Sequence, residues 1–262
     1  STNGKAVIFI YELSSTGAVD ATYKLTTDNA TNNGMMSTGL ADLDGNGTID
    51  TIYGGDLLGR VWKWDVSTIP VNGGPTLTGT KLFTATDGTN AQPITGGIGV
   101  ARDSNGQIFV GFGTGRLISL SDLPGNSGYV NQTQSLYGIK DLNTTVARAD
   151  LEARSIPFTG TMNNLPVRGF QSYQDLPSAK KGWYINLGVP AATAAGERVI
   201  TSPTMVGSAM WITSVIPAQG SDCSGALGSG YLNVLNIFTG TSPLQNSYFD
   251  TNGTIAGPNN TT

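Results

Sequence analysis

The chain has 262 residues, a length that suits one large all-β domain or two ordinary domains and leaves ample chain for a buried core. Charged residues make up 12%, about half the usual share, while Gly (36) and Pro (12) are abundant, which is the composition of turns and strands and not of helices. No histidine is present, which excludes a Ser-His-Asp triad, a Cys-His dyad, an HExxH zinc site and any imidazole general base; a net charge of −4 without a basic stripe argues against nucleic acid as a partner.

The apolar residues come in short runs, none approaching the roughly 18 in succession that a spanning helix needs, so no membrane insertion is expected. A single cysteine, Cys223, excludes an internal disulfide and leaves one odd thiol. Residues 1–262 read as one domain. The start at Ser1, without an initiator methionine, leads us to expect an excised or processed piece of something longer, and a composition rich in Thr, Asn and Gly and poor in Lys leans towards an extracytoplasmic location.

From the N-terminus, Gly4-Lys5-Ala6-Val7-Ile8-Phe9-Ile10-Tyr11 is a turn glycine followed by an alternating apolar run, the pattern of a half-buried strand. Next, Met35-Met36-Ser37-Thr38-Gly39-Leu40 and Thr51-Ile52-Tyr53 are β-patterned and flank the segment with the most chemistry. Ala41-Asp42-Leu43-Asp44-Gly45-Asn46-Gly47-Thr48-Ile49-Asp50 carries oxygen donors at alternate positions: Asp42, Asp44, Asn46, the carbonyl of Thr48, and Asp50. With Gly47 at the sixth position for the sharp turn, this follows the first nine positions of an EF-hand loop and predicts one Ca2+ site. Position twelve is Tyr53 instead of the bidentate Glu, so waters or a more distant residue complete the shell. Carboxylates ~5 Å apart repel by roughly 3 kcal/mol per pair at an effective dielectric of about 20, which favours a cation among the three. The alternative for this loop is a solvated acidic hairpin.

Gly59-Arg60-Val61-Trp62-Lys63-Trp64-Asp65 is the next strand, with Trp62 and Trp64 on one face, read as packing between sheets and not as a ligand platform. Asn105-Gly106 lies between two β runs and predicts a tight hairpin turn. Gly111-Phe112-Gly113-Thr114-Gly115 superficially suggests a phosphate loop, but no Lys-Ser/Thr follows, and the next element, Gly115-Arg116-Leu117-Ile118-Ser119-Leu120, is patterned as a strand, so a structural turn is expected. Residues 145–154 hold helix formers without Gly or Pro and predict a short helical insertion. Gly182-Trp183-Tyr184-Ile185-Asn186-Leu187 and Gly230-Tyr231-Leu232-Asn233-Val234-Leu235-Asn236 are the last two strand units; Glu152, Glu197 and the scattered Asp residues show no paired-carboxylate spacing.

The five turn glycines are spaced by 55, 56, 67 and 48 residues, close to the ~40–50 of propeller blades before insertions. Gly55 and Gly111, and then Gly59-Arg60 and Gly115-Arg116, repeat at one offset of 56 and predict equivalent hairpin turns. The fold expected is all-β, a modified β-propeller of about five units with ring closure left open; a β-sandwich of generic hairpins is the alternative.

At this point the residues resemble a family. The run from Asp42 to Asp50, then Tyr53-Gly54-Gly55-Asp56-Leu57 and Gly59-Arg60-Val61-Trp62-Lys63-Trp64-Asp65, is similar to the C-terminal propeller of the type IV pilus tip-associated adhesin and biogenesis factors of the PilC/PilY type. Gln92-Pro93-Ile94, Gly111-Phe112-Gly113-Thr114-Gly115-Arg116, Leu136-Tyr137-Gly138-Ile139-Lys140-Asp141, Lys181-Gly182-Trp183-Tyr184, Gly196-Glu197-Arg198-Val199, and Ile216-Pro217 before Cys223 follow in the family's order. The resemblance implies a non-enzymatic module with calcium held by Asp42, Asp44, Asn46, Thr48 and Asp50. It further implies a role in pilus extension and retraction control, twitching motility and surface adhesion. The expected location is extracellular, at the pilus tip or outer surface of a bacterium. The expected partners are minor pilins of the pilus tip, the N-terminal part of the same protein, and a host or abiotic surface. Two other classes stay open: an integrin-α-like calcium propeller, which would carry several such loops, and a PQQ-binding quinoprotein oxidoreductase, whose strand motif the Gly54–Asp65 run also resembles.

Overall fold

The computed structural model describes residues 4–28, 30–69, 76–162, 165–188, 196–218 and 228–243. Cys223 and the Asn-Gly pairs beginning at Asn3, Asn72 and Asn252 in the sequence lie outside the described residues, wholly or in part. Among the described residues the regular secondary structure is almost entirely strand, with two single 3-10 turns. The first sheet contains β1 (Val7–Leu13), β2 (Val19–Thr26) and β6 (Leu77–Thr78); the second contains β3 (Met35–Ala41), β4 (Thr51–Asp56), β5 (Arg60–Asp65) and β7 (Thr80–Thr84). The third sheet runs β8 (Gly99–Arg102), β9 (Ile108–Gly113), β10 (Ser135–Lys140), β14 (Gly182–Asn186), with β11 (Glu152–Arg154) parallel on its outer edge. A ribbon of β12 (Phe158–Met162) and β13 (Leu165–Gly169) precedes the fourth sheet, made of β15 (Thr204–Val206), β16 (Ala209–Ile216) and β17 (Ser229–Asn236). The first strands of sheets two, three and four lie in series, β3 against β8 and β8 against β15. No described strand of the first sheet pairs with one of the fourth.

Period-two alternation explains how one strand serves two cores. On β4, Ile52 joins Leu25, Trp62 and Trp64 between sheets one and two, while its neighbour Tyr53 joins Val61, Phe83, Val110 and Phe112 between sheets two and three. On β9, Val110 faces that second seam and Phe109 faces the third, with Leu136, Trp183, Met210 and Leu235. Trp62 and Trp64 therefore pack between sheets, as their spacing predicts. The Asn105-Gly106 turn also forms as predicted: Gly106 has φ +83, its N–H donates to Asp103 O at 3.0 Å, and the Asp103 carboxylate accepts from the N–H groups of Asn105 and Gln107.

Two local expectations are corrected. Residues 145–154 form no α-helix but a single 3-10 turn, Arg148–Asp150, followed by β11. Tertiary pairing overrides helix propensity here: the Val146 N–H donates to Leu82 O at 2.7 Å, Leu151 is buried, and the Arg154 guanidinium donates to the carbonyls of Thr239, Gln174 and Asp175. The second correction concerns the 56-residue offset. Gly55 and Gly111 do occupy second strands of consecutive sheets, but Gly59 and Gly115 sit in different surroundings. Gly59, at φ +77, closes the tight β4–β5 turn by donating to Asp56 O; Gly115, at φ +152, lies two residues past β9 and donates to Pro93 O. Residues 116–120 continue irregularly with Ile118 and Leu120 exposed, and the third strand of that sheet is β10, twenty residues later. The glycines around Phe112 serve packing: a Cβ on Gly113 would meet Val199 at 2.5 Å.

Candidate functional site

The β3–β4 connection is a closed loop whose base is set by the sheet register, Ala41 opposite Thr51, and by the Asp50 N–H donating to Ala41 O at 2.9 Å. Inside it, acidic side chains take up backbone donors. Asp42 accepts from Gly45 N–H through Oδ1 at 2.7 Å and from Gly47 N–H through Oδ2 at 2.8 Å. Both glycines have positive φ, +78 and +88, the conformation that turns those N–H groups inward at least cost in glycine. Asp44 accepts from the backbone and side-chain nitrogens of Asn46 at 3.0 and 2.8 Å, and Asp50 Oδ2 accepts from Leu43 N–H at 2.6 Å and Asp44 N–H at 3.2 Å. From the neighbouring sheet Arg102 donates to Leu43 O.

The structure thereby brings three of the five predicted donors together: one carboxylate oxygen from each of Asp42, Asp44 and Asp50 lies within 4.8 Å of the others, the first two exposed and the third half-buried. Asn46 and Thr48 belong to the same loop, with the Asn46 Oδ1 turned to the Thr48 N–H at 2.7 Å and to its hydroxyl. The Gly47 N–H, supported by those of Gly45 and Asn46, holds the Asp42 carboxyl below its ordinary value against a smaller opposing effect of desolvation. The three clustered carboxylates form an all-oxygen donor set, the chemistry that hard divalent cations such as Ca2+ take, with Asn46 and Thr48 on the same loop. The residues present fit such an ion.

Two further charged clusters carried no signal in the spacing of acidic residues. Asp56, fully buried at the β4–β5 turn, accepts from Leu58 and Arg60 N–H at Oδ1 and from Arg60 Nε, Trp62 Nε1 and Asn33 Nδ2 at Oδ2, all at 2.9–3.0 Å. The Gly-Asp-x-x-Gly-Arg run is its sequence trace. Arg168 on β13 makes a two-pronged bond to Glu197 at 2.9 and 2.7 Å, both side chains buried, and Asn233, Ser214 and the Tyr231 ring complete the shell. These residues are far apart in the chain, so only the fold unites them. Among the described residues no helix is long and apolar enough to cross a membrane.

Comparison with known proteins gives this geometry a setting. Residues 1–156 match the family model described as the PilY1 beta-propeller domain. Two type IV pilus biogenesis factor PilY1 homologs of Xylella fastidiosa (strain Temecula1) are 34% identical over 223 residues and 32% identical over 270, covering 84% and 93% of this chain and 17% of each relative. The type IV pilus biogenesis factor PilY1 of Pseudomonas aeruginosa PAO1 is 27% identical over 281 residues, covering 92% of this chain and 23% of that protein. The chain thus spans about a fifth of the length of these relatives. The crystal structure of the P. aeruginosa PilY1 C-terminal domain superposes with a TM-score of 0.70 at 23% identity, over 91% of this chain and 54% of that one, and so has the same fold.

Proposed function

The chain belongs to the PilY1 β-propeller family, and from that premise we propose that it is the calcium-binding propeller module of a type IV pilus biogenesis factor. It acts outside the bacterial cell, at the pilus tip or outer surface, in pilus extension and retraction control, twitching motility and surface adhesion. Its partners are minor pilins, the N-terminal part of the same protein, and a host or abiotic surface. Its role is binding and assembly and not catalysis, in keeping with the names of its relatives, which are biogenesis factors.

The observation that carries this reading is the clustering of Asp42, Asp44 and Asp50 within 4.8 Å on a hairpin loop. Calcium would be held by these carboxylates, the Asn46 amide oxygen and the Thr48 carbonyl, and would offset two of the loop's three negative charges. Without a twelfth-position Glu, affinity falls in the roughly micromolar to millimolar range of sensors and extracellular modules. Order in the loop reaches the seam between sheets: Ile49, next to Asp50, lines a mostly apolar groove with Ile10 and Tyr23 of the first sheet and Val66, just past β5. Occupancy then sets the shape of this end of the module according to external calcium.

The test is genetic. Cells whose parent gene carries Asp44→Ala with Asp50→Ala should make the protein at normal level and show altered piliation or twitching. If piliation, motility and attachment match the parent across calcium concentrations, the loop has no regulatory part in pilus function.

A further inference from the structure

Three residues in register cross sheet two on the face turned to sheet one: Trp64 on β5, Ile52 on β4 and Leu40 on β3. Their exposures are 2%, 6% and 58%, so the cover that sheet one provides stops short of β3. Sheet one runs out there. Leu25 of β2, then Ile8 and Ile10 of β1, pack with Ile52 and the two tryptophans, and past β1 no further strand follows among the described residues. The Trp64 indole donates to Thr26 O of β2 at 2.9 Å, which sets β2 over β5 and leaves the other edge of β1 on the side of β3. The space beside that edge is a mostly apolar groove of about 540 Å³, with Ile10 and Glu12 of β1 on one side and Leu40, Ile49 and Ile52 on the other.

One edge of β1 is paired with β2 from Val7 to Leu13; among the described residues nothing pairs with the other. A free edge presents a row of unpaired N–H and C=O groups, which proteins ordinarily blunt with Lys, Pro or a bulge. Val7-Ile8-Phe9-Ile10-Tyr11 has none of these. The single bulge and the inward Glu12, which accepts from the Tyr23 hydroxyl at 3.0 Å, come only at the end of the strand. We infer that the open edge of β1 takes one more strand, an extended segment with apolar residues at alternate positions, contributed by polypeptide outside these 262 residues. Backbone bonds along Val7–Tyr11 continue the sheet, and the alternate side chains fill the groove and bury Leu40. The relatives point to this source: the chain covers 54% of the superposed domain and 17% to 23% of the full-length relatives, so much of each polypeptide lies outside the matched segment. A second copy fits less well, because antiparallel pairing of two β1 strands sets the two projecting β3 strands against each other.

The inference rests on the reading above that this chain is one module of a longer pilus factor. Its test is amide hydrogen exchange, read by mass spectrometry on peptides covering Val7–Leu13, in the 262-residue chain and in the longer protein purified from cells. In the monomeric 262-residue chain about half of the β1 amides, those on the open edge, should exchange freely; in the longer protein they should slow by at least about 10-fold. Leu40→Glu should leave the melting temperature of the 262-residue chain nearly unchanged, since Leu40 is already exposed there, and should return fast exchange to β1 in the longer protein. Should the longer protein fail to fold with Glu, Leu40→Ala is used, with a smaller rise in exchange expected. Equal exchange of β1 in the two proteins, protection gained in the 262-residue chain on dimerisation, or Leu40→Glu lowering both melting temperatures alike would each overturn it. A gene product of only these residues would end that reading and this inference together, whereas the other outcomes leave calcium uptake and pilus function untouched.

Discussion

The phenol of Tyr53 donates a 2.7 Å hydrogen bond to Oδ2 of Asp141, tying the second strand of sheet two to the end of the third strand of sheet three. Lys63 reaches the same oxygen at 2.7 Å and bonds Asn143 as well. A largely apolar buried seam thus carries a fixed polar cross-link. Removing the hydroxyl in Tyr53→Phe leaves a buried carboxylate short of a donor and should cost about 1–3 kcal/mol in urea unfolding. A loss below about 0.5 kcal/mol would mean water replaces the phenol without penalty.

The same contact sets an acid limit. Burial pushes the Asp141 carboxyl up, but the bonds from Lys63 and Tyr53 outweigh it and hold it below the ordinary carboxylate value, while burial pushes the Tyr53 phenol up. The native state therefore binds fewer protons than the unfolded chain near that range, and the stabilisation is full above about pH 4–5 and lost as pH falls through the native value. Asp141→Asn should be less stable than the parent at pH 7, with the gap narrowing steadily below about pH 4. A gap independent of pH would show that the charge is irrelevant.

Gly59 and Gly45 separate backbone strain from crowding. Both have positive φ, but a Cβ at Gly45 meets nothing within 4 Å, whereas at Gly59 it would lie 2.5 Å from Gln92 O and 2.9 Å from Ala85 O. Gly45→Ala should cost about 1–2 kcal/mol, the usual left-handed penalty. Gly59→Ala should cost clearly more, since two carbonyls must move. Equal losses by chemical denaturation would contradict the tight β4–β5 turn.

Arg168 and Glu197 form a buried pair, with side chains 3% and 2% exposed. Arg168→Met or Glu197→Gln alone strands the partner and should cost about 3–5 kcal/mol, while the double variant should cost less than the sum of the two. Additive losses in this double-mutant cycle would mean the two groups are not coupled.

What the sequence reveals and what it hides divide along the same line: whether the determining contacts are local. The acidic loop is legible because its donors and its two turn glycines all lie between residues 42 and 50, and the Asn105-Gly106 hairpin is legible because the turn chemistry is contained in it. The all-β class and the tryptophans between sheets follow from period-two patterning. Gly115-Arg116-Leu117-Ile118-Ser119-Leu120 misleads because its alternation does not report burial: Ile118 and Leu120 face solvent, and Arg116 is held by Asp122 and the carbonyl-bound Arg198. Residues 145–154 mislead because their partners, Leu82, Lys181 and Thr239, are remote in the chain. The pair Arg168 and Glu197 is invisible for the same reason.

The Asp42–Asp50 loop is proposed to hold one calcium ion, and titration calorimetry of the purified chain against Ca2+, with Asp42→Asn plus Asp44→Asn for comparison, tests this. One Ca2+ per chain is expected in the parent, with a Kd in the roughly micromolar to millimolar range. The double variant should show no uptake at that site while its thermal unfolding in EDTA stays close to the parent's, because the loop is one hairpin of a large domain. No calcium uptake by the parent, or the same uptake by the double variant, would contradict it.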